Sequence, residues 1–412
     1  EWQTQNCAVA GLATFNENNI EFRRYIKEAA KAWVSKSVDA LRIDTVKHMP
    51  LWFWQEFNAD LQLHRPDLFI FGEWIDSSPF DERSVACANT AGMSIIDFGF
   101  CHAARAALAE GNERGFELLG EVLAEDHRYR NASELVTCIE SHDMPRFQSL
   151  NASPELLHLA YVLLLTSRGV PVLLYGTEQY LHNDTAGGHD PYNRPMMERW
   201  EETEAVRIVR TLARERRRNP AVQMGGQWTL WLDADTYVFE RRYRDSQCVV
   251  FLNRAAEARQ IPVHGLAMRD GDYECLLSGE RYSVASGSLT VAIPALAARV
   301  LSYCGANVVG QTVVKFQMNG APTEPGDRLA IIGSCPELGE WDLQRAYFLE
   351  CVNAGTWFGE VAMESSIGKN IAYKYAIFPG SGDAQTLREP RVARRRMVSE
   401  AKTLKWRDVW AS

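Results

Sequence analysis

The sequence contains no long apolar run and no excess of positive charge. Its 44 Lys and Arg residues are outnumbered by 53 Asp and Glu residues, which gives a formal net charge of −9. A broad basic surface for nucleic acid is therefore not expected. The best candidate for a membrane segment, residues 160–165, is interrupted at 166–168, far short of the roughly 18–20 apolar residues that a membrane helix needs. We expect neither nucleic acid nor a membrane as a partner.

Paired cysteine motifs are also missing. The nine cysteines are an odd number and none stands in a Cys-x-x-Cys pair, so the sequence indicates neither a disulfide framework nor a zinc site. With 46% hydrophobic and 24% charged residues, the composition is globular and excludes disordered, collagen-like and coiled-coil proteins. Two arginine-rich stretches are interpreted first as solvated faces: Arg214, Arg216, Arg217 and Arg218, and Arg391, Arg394, Arg395 and Arg396.

Helix-like and strand-like segments alternate over residues 1–217. Asn18 and Glu21 have the spacing of a capping box, and apolar residues then recur at helical spacing. Short apolar strands separated by amphipathic helices predict a parallel sheet in an α/β fold. Five such strands are predicted, over residues 38–46, 68–71, 94–98, 135–139 and 170–175.

Helical patterns disappear after residue 217. Short strand candidates separated by Gly, Asp and Asn predict a small antiparallel β domain over residues 218–303. Residues 304–311 have the character of a linker. The remaining residues, 312–412, are enough for one β-sandwich.

Acidic residues follow several of the predicted strands. Asp44 and Glu73 stand at the ends of the first two strands, and a later strand ends in Glu140 and Asp143. In a parallel α/β barrel, functional residues lie just past the carboxyl ends of the strands. A carboxylate on an apolar strand is costly unless it is paired or used. The structural alternative is a salt bridge, since Arg42 lies two positions before Asp44 on the same side of the strand.

Two facing carboxylates are what the cleavage of a glycosidic bond needs. One attacks the anomeric carbon or stabilises its charge, and the other, protonated, delivers a proton to the departing oxygen. A retaining mechanism places them roughly 5–5.5 Å apart. An apolar neighbour such as Trp74 would raise the pKa of the acid by desolvation. Ser141, His142 and Asp143 are not a serine-hydrolase triad, because adjacent residues of a strand point to opposite faces.

The acidic segments resemble three short motifs of glycoside hydrolase family 13, the α-amylase family. In order and spacing they are similar to its second, third and fourth motifs: Arg-Ile-Asp-Thr-Val-Lys-His at 42–48, Gly-Glu-Trp at 72–74 and Glu-Ser-His-Asp at 140–143. Among family members, the cyclomaltodextrin glucanotransferases and their amylase relatives are the most similar. The resemblance implies a (β/α)8 TIM barrel followed by an antiparallel β domain.

The resemblance also implies roles for individual residues. Asp44 would be the nucleophile, Glu73 the general acid/base and Asp143 the stabiliser of the transition state. Arg42 would orient Asp44 through a charge-assisted hydrogen bond. His142 would hydrogen-bond the sugar in the −1 subsite.

Four further residues would bind substrate. Lys47 and His48 would line the +2 side, and Asp190 with Arg194 a donor subsite near −3. The structural alternatives are a solvated helix start for Lys47 and an ion-paired turn for Asp190 and Arg194. A calcium site is implied as well, with the His48 carbonyl as one ligand and most others outside this chain. Thr14 stands where relatives commonly carry an Asp ligand.

The first motif of the family, Asp-x-x-x-Asn-His, is absent, and the chain begins at Glu1 without a signal peptide. A family barrel has eight strands, of which this chain would supply the last five. The chain is therefore interpreted as a fragment, expected to be inactive and poorly soluble when expressed alone. The alternative is a decayed, non-catalytic starch-binding remnant.

Three departures from the glucanotransferases favour hydrolysis. Ala10 and Ile75 stand where the cyclising enzymes place aromatic rings, and the linker at 304–311 replaces their immunoglobulin-like domain. The predicted activity is retaining hydrolysis of internal α-1,4-glucosidic bonds, as in an α-amylase. Cyclomaltodextrin glucanotransferase-type transglycosylation is the first alternative. The resemblance implies starch, glycogen or maltooligosaccharides as substrates, a monomer and an extracellular location.

The C-terminal residues resemble the starch-binding modules of carbohydrate-binding module family 20. The similarity rests on the segments 329–334, 338–342 and 373–375. Trp341 and Trp357 would stack on sugar faces, and Lys374 would hydrogen-bond sugar hydroxyls. The alternative for either Trp is a place in the core. A partner Trp is missing near Leu387, so starch binding is expected to be weakened.

Overall fold

The computed structural model of this chain describes residues 2–8, 11–380 and 386–410. It divides into two compact units, Glu1–Ala160 with Gly169–Thr203 and Tyr161–Arg168 with Glu204–Ser412. Ala10, which stands where the cyclising enzymes place an aromatic ring, lies outside the described residues. None of the described helices is both long and apolar enough to cross a membrane.

Helices and short strands alternate in the first half of the chain. The strands are β1 Ala40–Ile43, β2 Phe69–Gly72, β3 Ser94–Ile95, β4 Val136–Thr137 and β5 Val170–Pro171. The helices are α1 Trp2–Asn6, α2 Ile20–Val34, α3 Leu51–His64, α4 Glu82–Thr90, α5 Phe98–Leu108, α6 Phe116–Ala124, α7 Phe147–Leu150 and α8 Pro154–Thr166.

The cap of α2 differs from the prediction by one residue. The side chain of Asn19, not Asn18, accepts hydrogen bonds from the backbone N–H groups of Glu21 and Phe22. Asn18 instead donates its own backbone N–H to the side chain of Asn16. The capping box predicted from the spacing of Asn18 and Glu21 is therefore wrong, and the helix begins at Ile20, one residue later than that box implies.

The predicted parallel arrangement of the five strands is confirmed. β1, β2 and β3 form one parallel sheet and β4 pairs with β5 in parallel. A single parallel bridge between Ile96 and Val136 joins the two sets. The strands are shorter than predicted because the backbone leaves the sheet after its last hydrogen-bonded position. After β1, for example, Thr45 adopts a left-handed conformation with φ 50°.

The two outer strands carry exposed apolar groups. β1 is the edge of its sheet, and Val170 and Val172, at and beyond β5, are about two-fifths exposed. On the first unit, Tyr25 and Trp33 of α2 are also largely exposed. An edge strand with unpaired backbone groups and apolar neighbours is a site for association.

Helices α9 Glu204–Arg218 and α10 Pro220–Met224 open the second unit, and a β domain follows. Its strands are β6 Gly226–Leu232, β7 Thr236–Tyr243, β8 Ser246–Asn253, β9 Arg259–Val263, β10 Gly271–Glu274, β11 Arg281–Val284, β12 Leu289–Ile293 and β13 Ala297–Tyr303. Four of them form an antiparallel sheet in the order β13-β8-β7-β6, and the others pair as β9 with β12 and β10 with β11. Phe251, Val291 and Leu301 lie at the centre of its core.

Two sheets make up the remaining residues. The strands are β14 Val313–Asn319, β15 Arg328–Gly333, β16 Tyr347–Phe348, β17 Glu350–Asn353, β18 Thr356–Ala362, β19 Asn370–Phe378, β20 Leu387–Arg388, β21 Arg394–Met397 and β22 Thr403–Val409. One sheet has the order β17-β18-β14-β22, and the other has β16-β15-β19-β20 with β21 also on β19. Inner residues such as Phe316, Tyr373 and Trp406 form one core, as expected of a sandwich.

The arginine-rich stretches are not wholly solvated, which corrects their first interpretation. Arg394 pairs with Glu389 and with Asp408 (3.2 Å to Oδ1) inside the sandwich, and its side chain is only 7% exposed. Arg216 turns inward and donates to the carbonyls of Leu165 and Ser167 at 3.1 and 3.0 Å. Buried guanidinium groups are stable only with such partners.

Candidate active site

Asp44 and Glu73 are brought together by the pairing of β1 with β2. Parallel strands in register end at the same edge of the sheet, and the residues that follow them become neighbours. The Glu73 N–H donates to the Ile43 carbonyl at 2.7 Å, and the Val46 N–H donates to the Glu73 carbonyl at 3.0 Å. Backbone hydrogen bonds therefore hold both acid-bearing segments.

Arg42 contacts both acids. Its Nη1 donates to Asp44 Oδ1 at 2.6 Å and its Nη2 to Glu73 Oε1 at 2.7 Å. The salt bridge between Arg42 and Asp44 that offered a purely structural explanation is present. It does not stand alone, because the same guanidinium reaches the second acid and so fixes the two carboxyl groups relative to each other.

Asp44 and Glu73 differ in burial, and their pKa values shift in opposite directions. The Glu73 side chain is 4% exposed, and burial together with a hydrogen bond to Asp44 raises the pKa of Glu73 to about 7 against the opposing charge of Arg42. The hydrogen bond from Glu73, together with Arg42, lowers the pKa of the more exposed Asp44. Two carboxyl groups with opposite shifts supply one acid and one ionised group at the same pH.

Asp143 and His142 lie near this pair. The negative charge of Asp143 contributes to the raised pKa of Glu73, and His142 contributes to the lowered pKa of Asp44. His142 Nε2 is 3.1 Å from Asp143 Oδ2. Arg194 Nη2 is 3.1 Å from Asp143 Oδ1. The three acids thus belong to one electrostatic cluster.

Asp190 and Arg194 form the ion pair that the structural alternative anticipated. Arg194 Nη2 lies 3.1 Å from Asp190 Oδ1, and Asp190 stands four positions earlier in the same turn. Arg194 also donates from Nε to the His142 carbonyl at 3.0 Å. The turn is therefore joined directly to the segment that bears Asp143.

Lys47 and His48 contact backbone in the first unit. Lys47 Nζ donates to the Ile75 carbonyl at 3.2 Å, so it is not simply a solvated residue. His48 Nδ1 lies 2.9 Å from the Thr4 carbonyl, which identifies this nitrogen as the donor. Their predicted contacts with substrate remain predictions.

A buried network that sequence reasoning missed supports the His142–Asp143 segment. Arg146 Nη1 pairs with Glu140 Oε1 at 3.0 Å, and both side chains are 1% exposed. Arg146 Nε donates to the Asn193 carbonyl at 2.7 Å, and Asn193 Nδ2 donates to the His142 carbonyl at 2.6 Å. Glu140 is therefore a structural residue. Its proximity to an arginine six positions later was the available signal.

The described residues do not form a calcium site. Calcium takes about six to eight oxygen ligands, usually including carboxylates. Within residues 2–8, 11–380 and 386–410, no group of three or more His, Cys, Asp or Glu side chains could hold a metal ion. Thr14 Oγ1 donates to the Cys7 carbonyl at 2.8 Å, and it brings no carboxylate where one was sought.

The residues of the sandwich that were predicted to contact starch differ in exposure. Trp341 is 40% exposed and Lys374 lies half-buried on β19, opposite Ile332 of β15. Trp357 is only 5% exposed and packs in the sandwich core. The prediction that Trp357 stacks on sugar is wrong in this structure, because its ring faces are covered by core side chains. Trp357 is therefore a core residue, as the structural alternative proposed.

Two family models match this chain. Residues 4–235 match the α-amylase catalytic domain, and residues 311–403 match the starch-binding domain of carbohydrate-binding module family 20. The first match covers more than half of the chain. The chain therefore belongs to the α-amylase family, glycoside hydrolase family 13, and carries a starch-binding domain, as the motifs indicated.

Individual relatives include both transferases and hydrolases. The chain is 30% identical over 413 residues to the cyclomaltodextrin glucanotransferase of Klebsiella oxytoca, which covers 90% of this chain and 63% of that enzyme. It is 32% identical over 283 residues to an α-amylase of Niallia circulans, covering 68% and 52%. The crystal structure of CldA, a cyclomaltodextrin glucanotransferase with a three-domain ABC distribution, matches at TM-score 0.70 and 35% identity, covering 74% and 64%. The chain thus spans less than two thirds of each of these proteins.

Proposed function

We propose that this protein cleaves α-1,4-glucosidic bonds in starch, glycogen and maltooligosaccharides by a retaining double displacement, as an α-amylase does. The observation that carries the proposal is the contact between Asp44 and Glu73, one with a lowered and the other with a raised pKa. Arg42 donates to both carboxyl groups, at 2.6 Å to Asp44 and 2.7 Å to Glu73, and this supports a facing pair of the kind that a retaining mechanism uses.

The first step assigns opposite roles to the two acids. Ionised Asp44 attacks the anomeric carbon while Glu73, protonated through its burial, transfers a proton to the departing glycosidic oxygen. The bond between the anomeric carbon and that oxygen breaks, and an ester between the sugar and Asp44 forms. Asp143 and Arg42 stabilise and orient charge around this exchange.

The second step reverses the proton transfer. Glu73, now ionised, removes a proton from a water that attacks the anomeric carbon, and the ester to Asp44 breaks. Two inversions at the same carbon return the product to the α configuration. Starch held by the sandwich through Trp341 and Lys374 would keep chains near the site.

Transglycosylation is the second candidate, favoured by the names of several relatives. It differs only in the acceptor, because a sugar hydroxyl replaces water in the second step. Ile75 is 37% exposed and offers no aromatic face on which an acceptor sugar could stack. This favours water, and the proposal therefore remains hydrolysis. An extracellular, monomeric protein is part of the same proposal.

Trapping the sugar ester tests the chemistry. With an α-maltosyl fluoride, the Glu73→Gln variant of the full-length protein should accumulate maltosyl-Asp44, because fluoride leaves without a proton but water is no longer activated. Mass spectrometry of peptides locates the adduct, and the Asp44→Asn, Glu73→Gln variant is the matched control. Absence of any adduct would leave the non-catalytic starch-binding reading in place. Product analysis on maltoheptaose separates linear products of hydrolysis from cyclic products of transfer.

A further inference from the structure

One concave surface of the second unit has no part in the proposed chemistry. It is a cleft of about 370 Å³ between the end of α9, the 307–310 segment and one sheet of the sandwich. All of its lining residues belong to the same compact unit. The arginine stretch at 214–218, which takes no part in the candidate active site, ends in this cleft.

Positive charge dominates the lining. Among the described residues of the lining, four cationic side chains stand against a single carboxylate: Arg217, Arg218, Lys315 and Lys402 against Glu360. This balance is opposite in sign to the net charge of −9 of the whole chain. Like charges gathered in a concave surface raise the local potential and attract anions.

Two of the four cations are already paired. Lys315 Nζ lies 2.8 Å from Glu360 Oε1, and Arg218 Nε lies 2.5 Å from Glu215 Oε2. No ion pair joins Arg217 or Lys402 to a carboxylate in the part of the chain that the structure describes. Both are exposed, so an entering anion would meet two charges that no carboxylate of the described residues neutralises.

The lining also indicates which ligand fits. None of the described residues that line the cleft is aromatic, so a neutral sugar finds no ring there on which to stack. Uncharged donors such as Gln223, Asn307 and Thr403 stand beside the cations. Guanidinium, ammonium and amide groups together match the several acceptor oxygens of a phosphoryl group.

We propose that this cleft binds a phosphate monoester group, either free or carried on an α-glucan. Arg217 and Lys402 would contact its oxygens, with Asn307 and Thr403 as neutral donors. A glucan bearing phosphate would then be held at two places, the charged cleft and the exposed ring of Trp341. The proposal concerns binding alone and does not depend on the catalytic proposal.

Calorimetric titration of the full chain tests it, with inorganic phosphate at low ionic strength as the probe. Saturable binding is expected, weakened at least tenfold in an Arg217→Gln, Lys402→Gln double variant and by added salt. Arg214→Gln is the matched control, because Arg214 is exposed on the same helix but does not line the cleft. Circular dichroism and retention on amylose resin check that the variants remain folded.

A second titration separates the two sources of the group. Maltotriose carrying a 6-phosphate is compared with free phosphate and with plain maltotriose. Tighter binding of the ester than of free phosphate assigns the cleft to a phosphorylated glucan, and equal binding assigns it to the free anion. Absence of saturable phosphate binding, or binding that the double variant leaves unchanged, overturns the proposal.

Discussion

Glu73 owes its raised pKa to where it lies rather than to its chemical type. Its carboxyl group is enclosed after β2, and burial outweighs the attraction of Arg42. Asp44 shares the same guanidinium but is 63% exposed at its side chain. Since solvation differs between the two groups, one carboxyl can stay protonated while the other is ionised at the same pH, without any change of residue class.

Under the proposed mechanism, this difference sets the pH dependence of catalysis. Because Glu73 must be protonated and Asp44 ionised, kcat/KM should fall as pH rises through about 7, the pKa of Glu73. The acid limb should lie below the usual range of an Asp, since the pKa of Asp44 is lowered. Initial rates on a chromogenic maltooligosaccharide across pH measure both limbs. A rate that still rises above pH 8 would contradict the assignment.

The same shift predicts a slope in stability. Between pH 4.5 and about 7 folded Glu73 keeps a proton that the unfolded chain releases, so its contribution is full below pH 4.5 and is lost as pH rises through about 7. Glu73→Gln should remove this loss, and its Tm relative to the parent should rise over that interval. Glu110→Gln, at an exposed position, is the control. Parallel Tm curves for parent and Glu73→Gln would refute the shift.

At the scale of elements, strand alternation decides which tryptophan meets solvent. Trp357 lies within β18, opposite Met318 of β14, and points into the core between the sheets. Trp341 follows β15 in a 3-10 segment with φ 69°, outside any strand, and remains exposed. A ring on the inner face of a sandwich packs, whereas a ring on a connecting turn is free to bind.

The two tryptophans should therefore respond differently to truncation. Trp341→Ala should reduce retention on amylose resin with little change in stability. Trp357→Ala should lower the free energy of unfolding by about 3–5 kcal/mol, as expected for a buried ring. Denaturant unfolding and amylose affinity are measured for both variants. Loss of amylose binding in a fully stable Trp357→Ala protein would restore the discarded role.

At the scale of the molecule, the β domain and the sandwich of the second unit are in direct contact. The Arg244 guanidinium lies 5.5 Å from the ring centroids of both Tyr243 and Tyr347, and it donates to the Tyr347 hydroxyl. Val352 of the sandwich packs with Met224 and Tyr243 in a shared apolar cluster. The short linker therefore leads into a packed interface, which holds the sandwich against its neighbour.

Removing the arginine should loosen that interface. Arg244→Ala deletes both cation–π contacts and leaves the Tyr347 hydroxyl without this donor. Calorimetry should then resolve two unfolding transitions in the second unit, and limited proteolysis should cut the 304–311 linker faster. Arg269→Ala, which removes a similar contact with Tyr303 inside the β domain, is the control. Unchanged linker cleavage would show that the apolar cluster suffices.

Local patterns in the sequence determined much of this protein. Apolar runs placed all five parallel strands, and the residues after them identified Asp44, Glu73 and the His142–Asp143 segment. The order of the three motifs was enough to indicate the family. Such features are readable because strand period and strand-end position depend on neighbouring residues alone.

Tertiary structure decided what depends on distant partners. Glu140 became structural because Arg146 and the Phe147 N–H bind its carboxylate, and Trp357 became core because β14 and β18 pair across it. Arg394 was drawn inward by Asp408, fourteen residues later. Burial and ion pairing are properties of the folded surroundings. The sequence therefore could not assign Trp357, Arg394 or the opposite pKa shifts of the two acids, and for Glu140 it offered only the arginine six positions later.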